Sequence, residues 1–231
     1  MQVHKPVTVP TTATTTTTTT TTNAPTRQES LQLVQNLLRS SFAAISYLRG
    51  LFPEDTFDDV KLNGMNLKKL KRGVSETVDN LSDWLEKGCF DALEKQYLKA
   101  ISFGVYVDSK DPSSLIETYE FSFTYAKNGR CDMVIDSTNT KFRKETIKMQ
   151  SKKESVQAMT NMLKRILVMT QALQPISEPP QLTMKIFYYD NVTPHDYEPP
   201  NFRKGLPTDY DKEDLKTECF ELGTVDSNHH K

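Results

Sequence analysis

Hydrophobic residues recur at steps of three and four in the first half of the chain, the spacing that places them on one face of an α-helix. One such stretch covers residues 28–49. Thr26 is its predicted N-cap, with Glu29 in the capping-box position. A second helix is predicted to begin after Ser75 and to be interrupted or bent at Gly88. The pattern therefore predicts two amphipathic helices before residue 100.

A third helical stretch, residues 155–173, is apolar nearly all round its middle turns, with Leu167 and Val168 opposite the main stripe. We expect such a helix to be covered on several faces. Pro175 and two further prolines end it. The run LTMKIFYYD at 182–190 has the length and the β-branched and aromatic content of a strand.

Period-two alternation predicts an antiparallel pair between these helices. Residues 101–108 and 114–126 are predicted to be strands, and residues 130–136 are predicted to be the return strand. The Asn-Gly pair in 127–130 is typical of a tight hairpin turn. Residues 137–153 are polar and are predicted to be a link. This order of elements predicts an α+β domain with an antiparallel sheet.

Composition divides the chain into three parts. The threonine run 11–22 offers no apolar face, so residues 1–26 are predicted to be a disordered tail. The folded core is predicted over 27–190. Residues 191–231 then carry four of the prolines and few aliphatic residues. We therefore expect this last part to depend on contacts with another element for its position.

The totals exclude some classes of function. The chain has 231 residues, 36% of them hydrophobic, and a formal net charge of −1, which gives no global attraction to nucleic acid or to an anionic membrane. No run of 18 apolar residues or secretory signal occurs. Three scattered cysteines favour a reducing, intracellular setting. We therefore expect a cytosolic or nuclear protein without a membrane partner.

One dense basic cluster lies in residues 61–73 and leaves two interpretations open. Its members are Lys68, Lys69, Lys71 and Arg72. They are candidates for a nucleic-acid contact. Alternatively, they belong to a solvated loop whose charges balance the acids of the preceding predicted loop, 51–59. No aromatic residues interleave the charges, which favours the second interpretation.

The sequence carries no recognisable catalytic chemistry. The glycine-rich phosphate-binding, nucleophile-elbow and CxxC motifs do not occur. The histidines, His4, His195, His229 and His230, lack metal-ligand spacing. We therefore expect no enzyme activity, metal or cofactor.

Five collinear blocks of the sequence resemble one known family. They are YLRGLFPEDTF (47–57), LSDWLEKGCFDAL (81–93), YEFSFTY (119–125), MLKRILVMTQALQPISEPPQLTMKIFYYDNVTPHDYEPPNF (162–202) and GTVDSNHHK (223–231). Together they resemble a HORMA domain, and most of all the HORMA domains of fungal-type meiotic chromosome-axis proteins.

The resemblance implies three main helices packed on a small antiparallel sheet with a hairpin, and a mobile C-terminal "safety belt" over 191–231. Such a belt pins an extended peptide, the closure motif, which adds as a strand to the sheet edge. The peptide-binding residues implied are Met184, Ile186, Tyr188, Tyr189, Asp190, Tyr197 and Phe202. Ordinary packing is the alternative for each aromatic residue among them. Family members continue past the position of Lys231 with a segment that locks the belt, so the chain is expected to end before that segment.

The resemblance also implies a function. The chain is expected to be a non-enzymatic switch module in the nucleus, on meiotic chromosomes, supporting axis assembly, synapsis and recombination. Expected partners are closure-motif peptides of axis proteins and of full-length copies of itself, together with a remodelling AAA+ ATPase, and chromatin association is expected to be indirect. The alternatives are a checkpoint-type or polymerase-accessory HORMA adaptor, and direct DNA binding through 61–72.

Overall fold

A computed structural model of the chain describes residues 26–62, 64–137, 145–147, 152–171, 173–176 and 179–205. The predicted threonine-rich tail and most of the predicted belt lie outside the described residues. The elements are α1 (Arg27–Leu48), β1 (Phe57–Leu62), β2 (Met65–Leu70), α2 (Glu76–Asp83), a π-helix (Trp84–Cys89), α3 (Phe90–Glu94), β3 (Leu98–Tyr106), β4 (Leu115–Tyr125), β5 (Cys131–Ser137), β6 (Glu145–Ile147), α4 (Lys152–Gln171) and β7 (Gln181–Tyr188).

Five antiparallel strands form the main sheet in the order β6-β5-β4-β3-β7. The predicted β4–β5 hairpin is confirmed, and Gly129 in its turn has φ 78°, a left-handed conformation that glycine adopts without strain. β7 pairs with β3 on one side, and within the described part of the chain no strand pairs with its other side. The last strand of the described residues therefore forms one edge of this sheet.

Helices α1 and α4 cover one face of this sheet. The predicted capping box of α1 is confirmed, with Thr26 and Glu29 each accepting a hydrogen bond from the other's backbone amide. Along α1, the ring of Phe42 lies 5.0 Å from that of Phe103 on β3 and 5.1 Å from that of Phe121 on β4. The core thus forms where the buried stripe of α1 meets the inward side chains of the central strands.

The predicted interruption of the second helix is confirmed as a local change of helix type. Residues 76–94 run through α2, the π-helix and α3, and Gly88 lies in the π-helix. The wider turn of a π-helix inserts an extra residue into the ladder and turns the side chains that follow. Counting this stretch as one helix, the described part has the three main helices and the antiparallel sheet that were predicted.

The prediction that α4 is covered on several faces is wrong at Val168, which is 69% exposed. The helix packs through a stripe on one side, where Met159, Leu163 and Ile166 are buried and Thr170 donates to the carbonyl of Ile166. Leu167, the other residue predicted opposite the stripe, is half-buried and packs against the core, so of this pair only Val168 is left uncovered by the described residues.

Two predicted loops contain strands. The loops predicted at 51–59 and 61–73 contribute β1 and β2, which pair in register from Phe57 with Leu70 to Leu62 with Met65. Leu67 on β2 is buried against the core, and its apolar contact holds the hairpin in place. The link predicted at 137–153 contains β6. These short strands mix charged and apolar residues without the apolar alternation on which the prediction relied.

A buried ionic cluster connects α1, the sheet and the segment that leads into β7. The guanidinium of Arg49 forms two hydrogen bonds with the carboxylate of Glu117, and the two side chains are only 4% and 2% exposed. Tyr119 donates to the same carboxylate at 2.6 Å, and Arg49 Nη2 donates to the carbonyl of Gln174 at 2.7 Å. This last bond ties the α4–β7 connection to the core.

No helix in the described residues is long and apolar enough to cross a membrane.

Candidate functional site

A concave groove in the described chain follows the outer edge of β7. This edge groove has a volume of about 980 Å³. Strand residues 182–188 form its floor, and residues 190–205, which we call the covering segment, form its outer wall. The other lining residues are Trp84 of the π-helix, Tyr106 of β3, Ser109, Lys110 and Leu115.

The floor strand is anchored through one of its two faces. Leu182, Met184 and Ile186 pack against the core cluster, and the thiol of Cys89 lies 3.5 Å from the sulfur of Met184. The amide of Tyr189 donates to the carbonyl of Tyr97 at 2.8 Å, which continues the pairing with β3. By the alternation of antiparallel pairing, the amides of Met184 and Ile186 then point to the outer edge. The floor of the groove therefore presents main-chain groups.

Tyr197 attaches the covering segment to the helices. Its hydroxyl donates to Asp91 at 2.6 Å, and its ring meets those of Tyr97 and Tyr188 edge-on, with centroids 5.0 and 5.4 Å away. The ammonium of Lys95 lies over the same ring. Burial and the hydrogen bond to the carboxylate raise the pKa of Tyr197, so the phenol stays protonated and remains a donor.

Phe202 attaches the covering segment a second time. Its ring packs against Gly88 of the π-helix, and Pro199, at the start of the same turn, is the one residue of 191–205 that is buried. The remaining residues of this range are exposed or half-buried. The covering segment therefore lies on the surface beside β7, and its two attachments leave the groove open between them.

The other end of the groove is closed by the loop after β3. Ser109 donates to the side-chain oxygen of Gln181 through both its amide, at 2.9 Å, and its hydroxyl, at 2.6 Å. The loop is braced internally, because the hydroxyl of Ser114 donates to the carbonyl of Asp108 at 2.6 Å. These bonds fix the position of the first residue of β7 relative to the groove.

Six of the seven residues predicted to bind a peptide line this groove, and one does not. Those on its wall are Met184, Ile186, Tyr188, Asp190, Tyr197 and Phe202. Tyr189 lies outside the lining, with its hydroxyl donating to the carbonyl of Phe123 at 2.7 Å and its ring against Tyr125. Burial raises the pKa of Tyr189. This residue ties the end of β7 to β4.

The lining residues that the prediction did not include comprise a tryptophan and two lysines. Trp84 is half-buried, packs against the core and lines the groove. Lys110 and Lys185 also lie on the wall. Lys185 stands between Met184 and Ile186, and strand alternation places its side chain on the sheet face opposite to theirs.

The basic cluster lies away from this groove, on and after β2. Lys68 contacts Asp59 at 2.9 Å, Lys71 lies 3.8 Å from Asp58, and Arg72 contacts Asp83 at 2.7 Å and also Glu86. Hydrogen bonds from Lys87 and Arg72 lower the pKa of Asp83, which keeps that carboxylate ionised beside its partners. Three of the four candidate nucleic-acid contacts thus lie in ion pairs with acidic residues, including acids of the preceding segment. The fourth, Lys69, faces Asp58 across the hairpin.

In the portion of the chain that the structure describes, no cluster of three or more histidine, cysteine or acidic side chains could hold a metal ion.

Comparisons with known proteins agree on one family. The sequence profile of the HORMA domain matches residues 30–230. HORMA domain-containing protein 2 of Mus musculus is 35% identical over 203 residues, 87% of this chain and 64% of that protein. HORMA domain-containing protein 1 of Rattus norvegicus is 40% identical over 78% of this chain and 45% of its own length. Meiosis-specific protein HOP1 of Saccharomyces cerevisiae is 32% identical over 89% of this chain and 38% of its own length. The chain thus spans between about two fifths and two thirds of these relatives.

Solved structures support the fold. The C. elegans HTP-2 protein bound to the HIM-3 closure motif superposes with a TM-score of 0.63 at 15% identity, covering 79% of this chain and 78% of that one. A chain of the mitotic checkpoint complex superposes with a TM-score of 0.51 at 13% identity, covering 76% and 85%. At these identities, the likeness concerns the fold alone.

Proposed function

We propose that this chain, which belongs to the HORMA domain family, binds an extended closure-motif peptide as an added strand on the outer edge of β7. The function we infer is that of a peptide-binding switch module in a meiotic chromosome-axis protein. In this role the chain performs no catalysis, and the peptide brings partners to the axis.

The observation that carries the proposal is the edge groove itself. A strand with unfilled main-chain positions gains hydrogen bonds from an added peptide strand, and a segment over it excludes water from those bonds. Here β7 supplies the edge, and the covering segment lies beside it over a volume of about 980 Å³. Half-buried apolar side chains on the floor, among them Met184 and Ile186, add contact area for the peptide.

The relatives support the meiotic branch of the family over the checkpoint alternative. Relatives at 32–40% identity are HORMA domain-containing proteins and a meiosis-specific protein, whereas the checkpoint structure matches at the level of fold. Several neighbouring structures hold a closure motif, for example C. elegans HTP-1 bound to that of HIM-3. By analogy, we assign the same kind of ligand to this chain.

The rest of the proposal concerns the whole protein. Residues 27–190 would form the core, 191–231 the belt and 1–26 a disordered tail. The protein would act in the nucleus on meiotic chromosomes, reaching chromatin through closure motifs in axis proteins and in full-length copies of itself. A remodelling AAA+ ATPase would release the bound peptide. DNA binding through Lys68 and its neighbours has no observation in its favour, because most of these charges are paired.

The test is a search for the peptide. Fluorescein-labelled overlapping peptides should be made for the part of the yeast relative that this chain does not match, together with the HIM-3 and HTP-3 closure motifs, and titrated by fluorescence anisotropy. We expect at least one peptide to bind saturably while its scrambled version does not. If every peptide behaves like its scrambled control, the proposed function is wrong.

A matched pair of peptides tests strand addition as the mode of binding. N-methylation of alternate amides in the bound peptide should abolish binding when the methylated amides face β7, and should leave most of it when they face away. If the two methylation patterns have the same effect, pairing with β7 is not how the peptide binds.

A further inference from the structure

The covering segment contains a tight turn, Pro199–Phe202, whose geometry follows from its sequence. The amide of Phe202 donates to the carbonyl of Pro199 at 3.2 Å. Pro200 occupies the second position and Asn201 the third, where it has φ 66°. Proline followed by a residue that tolerates positive φ is the preference of a type II turn. The turn therefore forms from local chemistry and presents the ring of Phe202 at its end.

That ring fills a hollow that exists because residue 88 is glycine. A Cβ added at Gly88 would lie 2.3 and 2.6 Å from two carbons of the Phe202 ring and 2.8 Å from the carbonyl oxygen of Pro200. Gly88 is not among the glycines with positive φ, so the backbone there accepts any residue. The absence of a side chain, rather than backbone freedom, is what this position supplies.

The turn and Tyr197 both attach the covering segment to the helical stretch that contains the π-helix. The side-chain amide of Asn201 lies 3.5 Å from the carbonyl of Asp83, just before the π-helix, and Tyr197 donates to Asp91 just after it. The ring of Tyr197 also touches Tyr188 at the end of β7. These contacts attach the outer wall of the groove to the helices and to the end of its floor strand.

We propose that Gly88 and Phe202 are positioning residues for peptide binding: seating the Pro199–Phe202 turn on the π-helix holds the groove at the width of one added strand. This inference rests on the proposed function. The turn stays seated when a peptide binds, and its loss opens one wall, so that a bound strand exchanges its hydrogen bonds with water and leaves sooner.

The variants are Gly88→Ala, Phe202→Ala and the double variant, with Val192→Ala as the control. Val192 lies in the same segment, is 51% exposed, and is neither among the groove-lining residues nor among the atoms near Gly88. Alanine in a helix is intrinsically more favourable than glycine, so any loss in Gly88→Ala comes from the contact. Circular dichroism and thermal unfolding establish that each variant is folded, and Phe202→Leu serves as a milder change if Phe202→Ala is not.

The first readout uses the folded chain without peptide. Trp84 is the one tryptophan in the sequence, lines the groove and lies in the same π-helix as Gly88, so its emission reports on the turn. We expect Gly88→Ala and Phe202→Ala to shift this emission to the red and to make residues 197–205 susceptible to limited proteolysis, while Val192→Ala behaves like the wild type. Unchanged emission and unchanged cleavage in both variants would overturn the proposal, whether or not any peptide has been found.

The second readout is the dissociation rate of the peptide identified in the anisotropy search. We expect each single variant to accelerate dissociation about tenfold, and the double variant to be no faster than the more affected single one, because all three lose the same contact. Dissociation within about twofold of wild type in Gly88→Ala, or effects that multiply in the double variant, would contradict the positioning role. Failure to find any peptide would refute the proposed function, whereas the first readout would still decide whether the turn is seated.

Discussion

Replacing Glu117 by glutamine should destabilise the fold strongly, although the shape of the side chain is nearly retained. Glu117 is the only acidic partner that the described structure gives Arg49, and their side chains are 2% and 4% exposed. Neutralising one member of a buried pair leaves the other charge without compensation, which costs about 3–5 kcal/mol. For a domain of this size, that corresponds to a fall of roughly 6–20 °C in Tm.

The assay is urea unfolding followed through Trp84 fluorescence, with thermal unfolding by circular dichroism beside it. The matched control is the triple variant Arg49→Met, Glu117→Leu and Tyr119→Phe, which removes every charged or polar side-chain group of the cluster. Because the desolvation cost of the charges disappears with them, the triple variant should be about as stable as the wild type or more so. A cost below about 1 kcal/mol for Glu117→Gln would refute the reasoning, and so would a triple variant as unstable as the single one.

Three further predictions test packing and protonation. Val168→Asp on the exposed face of α4 should change the unfolding free energy by no more than about 0.5 kcal/mol, whereas Ile166→Asp on the buried face of the same helix should prevent folding, as measured by circular dichroism. The thiols of Cys89 and Cys131 are buried, which raises the pKa of Cys131 to about 12, so Ellman's reagent should modify these two only as fast as the protein unfolds; rapid reaction in buffer would contradict their burial. The raised pKa of Tyr197 means that the native state keeps a proton that the unfolded state loses near pH 10, so stability from this group is complete below about pH 10 and is lost as the pH rises further. Tyr197→Phe should therefore flatten the decline in urea stability above about pH 10, and an unchanged slope would contradict the assignment.

The elements with strong local signals could be predicted from the sequence. The capping box at Thr26 and Glu29 requires only two side chains at a fixed spacing, and the hairpin turn requires only a glycine with positive φ, so both were predicted correctly. The interruption at Gly88 was also predictable. The structural role of Gly88 was not predictable, because its contact partner is Phe202, more than one hundred residues further along the chain.

The elements that were missed depend on tertiary contacts. The β1–β2 hairpin is rich in charged residues, and its Leu67 gains its role only when the core is present. Val168 was predicted to be covered because apolar content was counted without knowing on which side α1 and the sheet would lie. Periodicity gives the face that a helix can bury, and the arrangement of the other elements decides how much of it is buried.

The candidate site was partly predictable for a similar reason. A strand followed by a proline-rich segment pointed to the edge of β7, and the family resemblance named the residues near it. The tether from Tyr189 to Phe123 follows from the direction of one side chain at the end of a strand, which sequence alone does not fix.

Amide hydrogen exchange of β7, measured by NMR with and without the peptide found in the anisotropy search, tests strand addition most directly. The account predicts that the outward amides of Met184 and Ile186 exchange rapidly in the peptide-free chain and become strongly protected in the complex, while the inward amide of Lys185 between them is protected in both. A peptide that binds saturably and leaves the exchange of Met184 and Ile186 unchanged would contradict it.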